Sequence, residues 1–377
     1  MSTQLERNES LLRLNPHSGL GQLADQTGGF LISDTNNLGT GLARIDEDMR
    51  SHYVLTYVPK NADFDGRFRQ IAVRLSRSGL DVQTRKGYFA VRNAGAGPVL
   101  DYEAPVLAAL GDGKAKNAFP LRATALHFPE AKRPGLTPVL VEAPAGAFTY
   151  TIDKEKNTFL SDFSIVALIK DESDRVVAKL SQHYQLTGPA DKVDSAKHGT
   201  VLFYREAQLP PGQYSVEIAA FDAPSGKASV RTASVDVAPA AEAKLRLSSV
   251  IVLRGAEQLS AEDQKQDNPL HYGQVLIYPS MGDPVSKAKT KQLAFFFDVY
   301  PAKGATAEPK LQVEILRNNQ TVARAAPALP TADAAGRIQC ASALPIEGLQ
   351  AGDYSLKITV SDGQTSTSRS TAFTLRP

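Results

Sequence analysis

Tryptophan is absent from this chain of 377 residues, and cysteine occurs once, as Cys340. A single cysteine excludes an internal disulfide framework and any cysteine-rich zinc site. Neither sign of charge dominates: 42 Lys and Arg stand against 40 Asp and Glu, a formal net charge of +2. That balance argues against a dedicated nucleic-acid binder and against a polybasic membrane anchor. Long apolar runs are missing too. The best of them, residues 163–169 and 293–299, fall far short of the ~18 residues that a membrane helix needs. The first residues carry Glu6 and Glu9 and no apolar stretch, so no secretory signal is read there. What is present is ordinary globular composition, 42% hydrophobic and 22% charged, which fits two or three domains at this length.

Residues 1–92 differ in texture from the rest. Leu20, Leu23 and Ala24 share one side of a short helical stretch that stops at Gly28-Gly29. Residues 30–32 form a brief apolar run, read as a buried strand. After the cap-rich loop Asp34-Thr35-Asn36-Asn37, the apolar residues Leu38, Leu42, Ile45 and Met49 recur at helical spacing. Residues 53–58 read as a strand ended by Pro59. Strand, helix and strand in this order predict a β-α-β unit of a parallel sheet. A hairpin follows, its arms near 70–75 and 80–85 around the turn Ser76-Arg77-Ser78-Gly79. Residues 93–118 read as a linker, with one or two helical turns at 106–110.

From residue 119 the pattern is all strand. Short apolar runs alternate with Gly, Pro and Asp turns up to residue 237, and again from about 270 to 377. Such spacing predicts β-sandwiches. The stretch 245–253 adds a strand to one sandwich or bridges both; it is assigned to the first, so the next linker is expected at 254–268. The two β regions also echo each other. Leu209-Pro210-Pro211-Gly212-Gln213-Tyr214 matches Leu349-Gln350-Ala351-Gly352-Asp353-Tyr354, 140 positions later. Asp222 and Asp362 each follow their tyrosine by eight positions. Glycine permits a tight entry turn, and the tyrosine then starts a strand with its ring inward and its hydroxyl at the rim. This marks the penultimate strand of two related sandwiches.

Leu23-Ala24-Asp25-Gln26-Thr27-Gly28-Gly29, Asn36-Asn37-Leu38, residues 45–57, residues 65–73 and Arg85-Lys86-Gly87-Tyr88-Phe89-Ala90 together resemble the rear half of the bacterial, chiefly acidobacterial, von Willebrand factor type A-related domain family. The later β regions resemble, more weakly, the C-terminal tails of its long members. The resemblance implies an envelope or extracellular protein-interaction role, with export as its usual companion. Such domains bind a divalent cation through an Asp-x-Ser-x-Ser loop plus a Thr and an Asp. No Asp-x-Ser-x-Ser occurs in this sequence, so no metal residue is carried over and the α/β segment is read as truncated. That segment is expected to pack on the first sandwich, to pair with another copy, or to be partly disordered.

Other motifs read as structure. Gly19-Leu20-Gly21-Gln22-Leu23-Ala24 fits a dinucleotide fingerprint but lacks a preceding strand. The six histidines, His17, His52, His127, His183, His198 and His271, show no metal-ligand spacing; only His183 and His198 are candidates to converge. Asp171-Glu172-Ser173-Asp174 has the composition of a Ca²⁺ loop and the position of a hairpin turn. Basic residues of 60–92 read as a solvated hairpin face, with an anionic or glycan partner as the other reading. In residues 293–300, Phe295 and Phe297 are predicted to point one way and Phe296 the other, as in a central strand. Cys340 reads as a buried, inert thiol. Asn8-Glu9-Ser10 and Asn319-Gln320-Thr321 are formal glycosylation sequons only.

The expected architecture is mainly β: a truncated type A-like α/β segment with its hairpin (1–92), a linker (93–118), a sandwich of immunoglobulin or fibronectin III type (119–253), a linker (254–268) and a second sandwich (269–377). The expected function is a non-catalytic interaction or adhesion protein, with no catalytic, cofactor or metal residues assigned. Its expected partners are a protein, or a second copy through the α/β segment, and no membrane span is expected. A glycan-binding or enzyme-accessory sandwich is the alternative, and a hydrolase with a spatially assembled Ser/His/Asp site the third.

Overall fold

The computed structural model describes residues 99–111, 117–304 and 308–377, and, nearer the N-terminus, residues 21, 24, 27–33, 35–50, 52–61, 67–77, 79–80 and 82–90. The protein is mainly β, built from several sheets. In chain order come helix α1 (Leu38–Arg50), a small hairpin of β1 (Phe68–Gln70) and β2 (Gly87–Phe89), and helix α2 (Ala104–Gly111). The first body of sheets then holds β3 (Arg122–Ala125), β4 (Leu136–Pro144), β5 (Thr151–Asp153), β6 (Thr158–Lys170) and β7 (Val176–Pro189). After the short helix α3 (Val193–Lys197) it is completed by β8 (Thr200–Gln208), β9 (Gly212–Asp222) and β10 (Lys227–Val237). The second body begins with β11 (Arg246–Leu247), β12 (Ile251–Gln258), β13 (His271–Tyr272), β14 (Val275–Pro279) and β15 (Val285–Ser286). It continues with β16 (Gln292–Tyr300), β17 (Lys310–Arg317), β18 (Gln320–Ala325), β19 (Ile338–Pro345), β20 (Gly352–Ser361) and β21 (Ser366–Arg376).

In the first body the sheet β3-β4-β8 faces a sheet in which β10-β9-β6 continues to β7. In the second, β12-β16-β19 faces β21-β20-β17-β18. Counting seven principal strands along each body, both have the order 1-2-5 opposite 7-6-3-4. Period-two alternation sends one set of side chains into each interior. Val139, Val141 and Ala143 of β4 meet Phe163, Ile165, Ala167 and Ile169 of β6 in the first. Phe295, Phe297 and Val299 of β16 meet Val313, Ile315, Leu356 and Ile358 in the second. Phe148, Phe163 and Tyr184 stack at 3.9 and 4.8 Å across the first core.

The echoed segments occupy equivalent places. Tyr214 and Tyr354 each open the sixth strand with the ring buried, and each hydroxyl donates to a backbone carbonyl four residues earlier, Pro210 and Gln350, at 2.8 Å. Each bond ties the strand to its entry turn. Asp222 accepts from the Thr149 amide (3.0 Å) and hydroxyl (2.6 Å), whereas Asp362 accepts from the Gln364 and Thr365 amides of its own turn. Removing either tyrosine hydroxyl (Tyr214→Phe, Tyr354→Phe) is expected to cost about 1 kcal/mol in denaturant unfolding. A loss within a few tenths for both would show the bonds idle. Between β3 and β4, Gly135 (φ +75°) lies so close to the end of β8 that a Cβ would sit 1.9 Å from the Leu209 carbonyl oxygen, so no other residue fits that crossing.

Several boundaries differ from the sequence reading. Residues 246–258 belong by pairing to the second body, not to the first body and a linker: β11 and β12 both pair with β16, and the second half of β12 pairs with β14. The reason lies in their side chains, since Leu245, Leu247, Val250 and Val252 point into the second core. Residues 99–111 are no free linker either. Val106 and Leu107 of α2 cover Val166, Leu168 and Ala219, the outer face of the first body's larger sheet. The expected β-α-β unit is present only as its helix. Residues 30–33 and 52–59 form no ladder, and Tyr53 and Val58 are 94% and 90% exposed. A parallel strand needs a hydrogen-bonded neighbour, and among the described residues none pairs with them. Among the described residues the hairpin's ladder covers its outer rungs, Phe68↔Phe89 to Gln70↔Gly87, and the Ile71 amide bonds on to the Lys86 carbonyl at 2.8 Å.

Candidate functional site

The site is set by how the two sandwiches meet. The β3-β4-β8 sheet of the first packs back to back on the sheet of the second that contains β12, β14 and β16. Leu126, Phe128, Leu136 and Leu140 of the first meet Ile251, Leu270, Ile277, Met281 and Phe296 of the second in a third apolar core. This explains why β4 is buried along nearly its whole length and not at alternate positions. Polar bonds frame that core. The amides of His127 and Ser249 reach across to the Ser249 hydroxyl and the His127 carbonyl, each at 2.8 Å. Arg246 donates to the Pro129 carbonyl at 2.8 Å. Glu142 accepts from Arg122 at 3.1 Å and from both terminal nitrogens of Arg254 at 2.6 and 2.5 Å. Burial pushes the Glu142 carboxyl up, but the hydrogen bonds and charge of Arg254 and Arg122 outweigh it and hold its pKa below the ordinary value.

Beside this junction the sandwiches diverge and leave a cleft of about 840 Å³. One wall is the edge of β10, the start of β9 and the turn Asp171–Asp174; the other is β21. Arg369 of β21 spans it to Asp236 of β10 at 2.5 Å. Smaller hollows of about 210 and 510 Å³ continue it along β3, and Thr124 borders all three. Hydroxyls and carboxylates dominate the lining, and Tyr214 is its one aromatic residue.

The residues singled out from sequence fall as follows. Asp171–Asp174 is the β6–β7 turn, as its position required. Asp171 accepts from the Ser173 and Arg175 amides (2.9 and 3.1 Å) and from the Arg175 side chain (2.9 Å), which holds its carboxyl below the usual range. Asp174 pairs with Lys170 at 3.1 Å. His183 lies 2.8 Å from Asp162 and stacks on Tyr102, on the outer face of the sheet near α2. The neighbouring Ser181 is already engaged, donating to Glu103 at 2.6 Å and sharing a bond with Tyr102. His198 contacts the Asp194 carbonyl through Nδ1 at 2.6 Å, within α3 and its cap. The two histidines therefore have separate partners. Cys340 is buried, and burial pushes its thiol up to about 11, so it is a poor nucleophile at neutral pH. Phe295 and Phe297 enter the second core and Phe296 the third. His17, Asp34, most of residues 19–24, the Asn8 sequon and several charges of the basic hairpin lie outside the described residues.

The cation loop of the type A family has no counterpart. Its Asp-x-Ser-x-Ser sequence is absent, and among the described residues no three His, Cys, Asp or Glu side chains come together to hold a metal ion. The residues present do not fit that ion, and no role is assigned to it.

Sequence reasoning passed over Asp236, Arg369 and Asp298. The first two sit on strand edges, where no pattern marks which cation meets which acid. Asp298 carried a usable signal. It shares the face of β16 with Phe296, so an outer face rich enough to bury Phe296 buries the acid too.

No family model matches this sequence, and no curated protein matches it. Among solved structures, the chain is similar to Escherichia coli alpha-2-macroglobulin activated by porcine elastase, at 12% identity and a TM-score of 0.19, over 70% of this chain and 22% of that one. It is similar to pT26-6p at 8% identity and a TM-score of 0.14, over 73% of this chain and 68% of that one. Likenesses at these scores identify neither a fold family nor an activity.

Proposed function

We propose that this chain is a non-catalytic protein-interaction protein of the bacterial envelope or exterior. In this reading two fibronectin III-type sandwiches follow a segment related to the rear of a von Willebrand factor type A domain. The 1-2-5 opposite 7-6-3-4 strand order, present twice, supports the sandwich type. So does the tyrosine at the start of each sixth strand, bonded back to its entry turn in the manner of a tyrosine corner. The front segment is supported by the sequence resemblance, and α1 and the β1–β2 hairpin follow its order.

The observation that carries the functional reading is the cleft between equivalent edges of two fused sandwiches. All of its charged groups but Glu172 are tied into the fold, Asp171 to Arg175, Asp174 to Lys170 and Asp236 to Arg369. Such walls offer contact area and hydrogen bonds in place of an activated nucleophile. Photo-crosslinking tests it. With a photoreactive residue at Ser370 inside the cleft, the full chain in its native envelope is expected to capture a discrete protein. The same residue at the exposed Val177 is expected to capture none. Equal labelling from both positions, or steady turnover of ester or glycoside substrates by the purified chain, would overturn the proposal.

A further inference from the structure

The cleft is a slot lined by two strand edges. A sheet face lines a cavity with alternate residues, whereas a strand edge lines it with consecutive ones. Here Ser368, Arg369, Ser370, Thr371 and Ala372 of β21 line it in sequence, and so do Ser234, Val235 and Asp236 of β10. Both strands are the outermost of their sheets along these stretches. β21 pairs with β20 throughout and with β15 only at Leu375 and Arg376. β10 pairs with β9 alone; residues 117–121 bond to its outer side at 228–231, and 232–236 lie beyond them.

Sheet edges are ordinarily blunted by proline, bulges or charge. The register of β21 against β20 is unbroken from Ser366 to Leu375, and that stretch contains no proline. Its one charged residue, Arg369, is drawn across the cleft to Asp236 and so does not stand over the edge. Arg175, Lys170 and Arg369 neutralise Asp171, Asp174 and Asp236, which leaves Glu172 as the one unbalanced carboxylate of the lining, so the slot favours an occupant that brings a cation to that end. A lone aromatic offers no stacking platform for sugar rings, which leaves main-chain hydrogen bonding as the main source of affinity.

We infer that the cleft accepts an extended, lysine- or arginine-bearing peptide segment of a partner protein, which adds as a strand to the β21 edge. This deepens the proposed function and rests on it.

The test is selection of a random peptide display library on the immobilised full chain, followed by titration of synthetic copies of the enriched sequences. Enriched peptides are expected to alternate β-branched residues with at least one Lys or Arg. Methylating their alternate backbone amides is expected to weaken binding at least tenfold, because it removes donors without touching the protein. Ser370→Arg, at an exposed position, is expected to weaken it at least tenfold while the thermal melt stays unchanged. Peptides indifferent to both changes would sink the slot and leave the broader interaction reading standing. Failure to enrich any sequence, or capture of a polysaccharide that Ser370→Arg abolishes, would overturn the inference as well. A destabilised Ser370→Arg would leave the amide-methylation result to decide.

Discussion

Replacing Asp298 with asparagine is expected to remove a pH dependence of several kcal/mol from the stability of this protein. Asp298 is 0% exposed on β16, and its Oδ1 has no hydrogen-bond partner. Oδ2 accepts a long bond from the Tyr300 hydroxyl, 3.3 Å, and lies 3.7 Å from Arg337. Around it stand Arg337, itself paired with Asp333 at 3.1 Å, then Tyr300, Gln339, Cys340 and the more distant Glu130, with Arg246 over the Tyr300 ring. Burial dominates, Arg337 offsets it only in part, and the carboxyl is pushed up to about 7. An unfolded chain returns it to about 3.9. Between those values the folded state binds more protons at this group, so its contribution to stability is greatest below about pH 4 and falls as pH rises towards 7. About three pH units correspond to a loss on the order of 4 kcal/mol, complete above pH 7. The amide that replaces the carboxyl in Asp298→Asn cannot ionise. The variant should match the parent near pH 4 and exceed it by several kcal/mol at pH 8. Denaturant unfolding of both proteins at a series of pH values decides it; parallel curves would show that Asp298 holds its charge in the fold.

Asp298 also shows how far the sequence could be read. Its strand was legible because a run such as Leu293-Ala294-Phe295-Phe296-Phe297 can only be buried, and alternation sorted the three phenylalanines correctly between two faces. The tyrosine echo likewise marked the sixth strands, because a local bond of four residues leaves a local signature. What lay across the outer face left none. Leu126, Phe128 and Leu140 are close in sequence to their own sandwich, yet they are covered by residues more than 100 positions later. The same gap misplaced residues 254–258, whose polar sequence Arg254-Gly255-Ala256-Glu257-Gln258 reads as a linker although it forms an edge ladder with β14. At residues 53–58 the local pattern indicated a strand, but a ladder needs a partner as well as a propensity. The cleft was least legible of all. Its walls are ordinary Ser, Thr and Asp positions that become a site only when two edges are brought side by side.

Truncating Phe296 to alanine should therefore do more than open a cavity. The ring is fully buried between the sandwiches, edge-on to Tyr272 at 5.9 Å and within the cluster that includes Leu140, Ile251 and Ile277. Loss of a buried phenylalanine ring costs about 3–5 kcal/mol. Phe163→Ala, in the stacked core of the first sandwich, removes the same ring from a site of similar burial and serves as the comparison. The two losses act on different couplings. While the third core is intact, unfolding either sandwich exposes the apolar back of the other, so the parent and Phe163→Ala are expected to melt in one transition. Phe296→Ala removes the central ring of the shared surface, so its melt is expected to split into two transitions or broaden. It should also loosen the cleft, because that junction and the Arg369–Asp236 pair hold the edges of β10 and β21 beside each other. Scanning calorimetry separates the cases. Two transitions in the parent, or a Phe296→Ala melt as sharp as that of Phe163→Ala, would show that the sandwiches fold independently and that the slot between them has no fixed width.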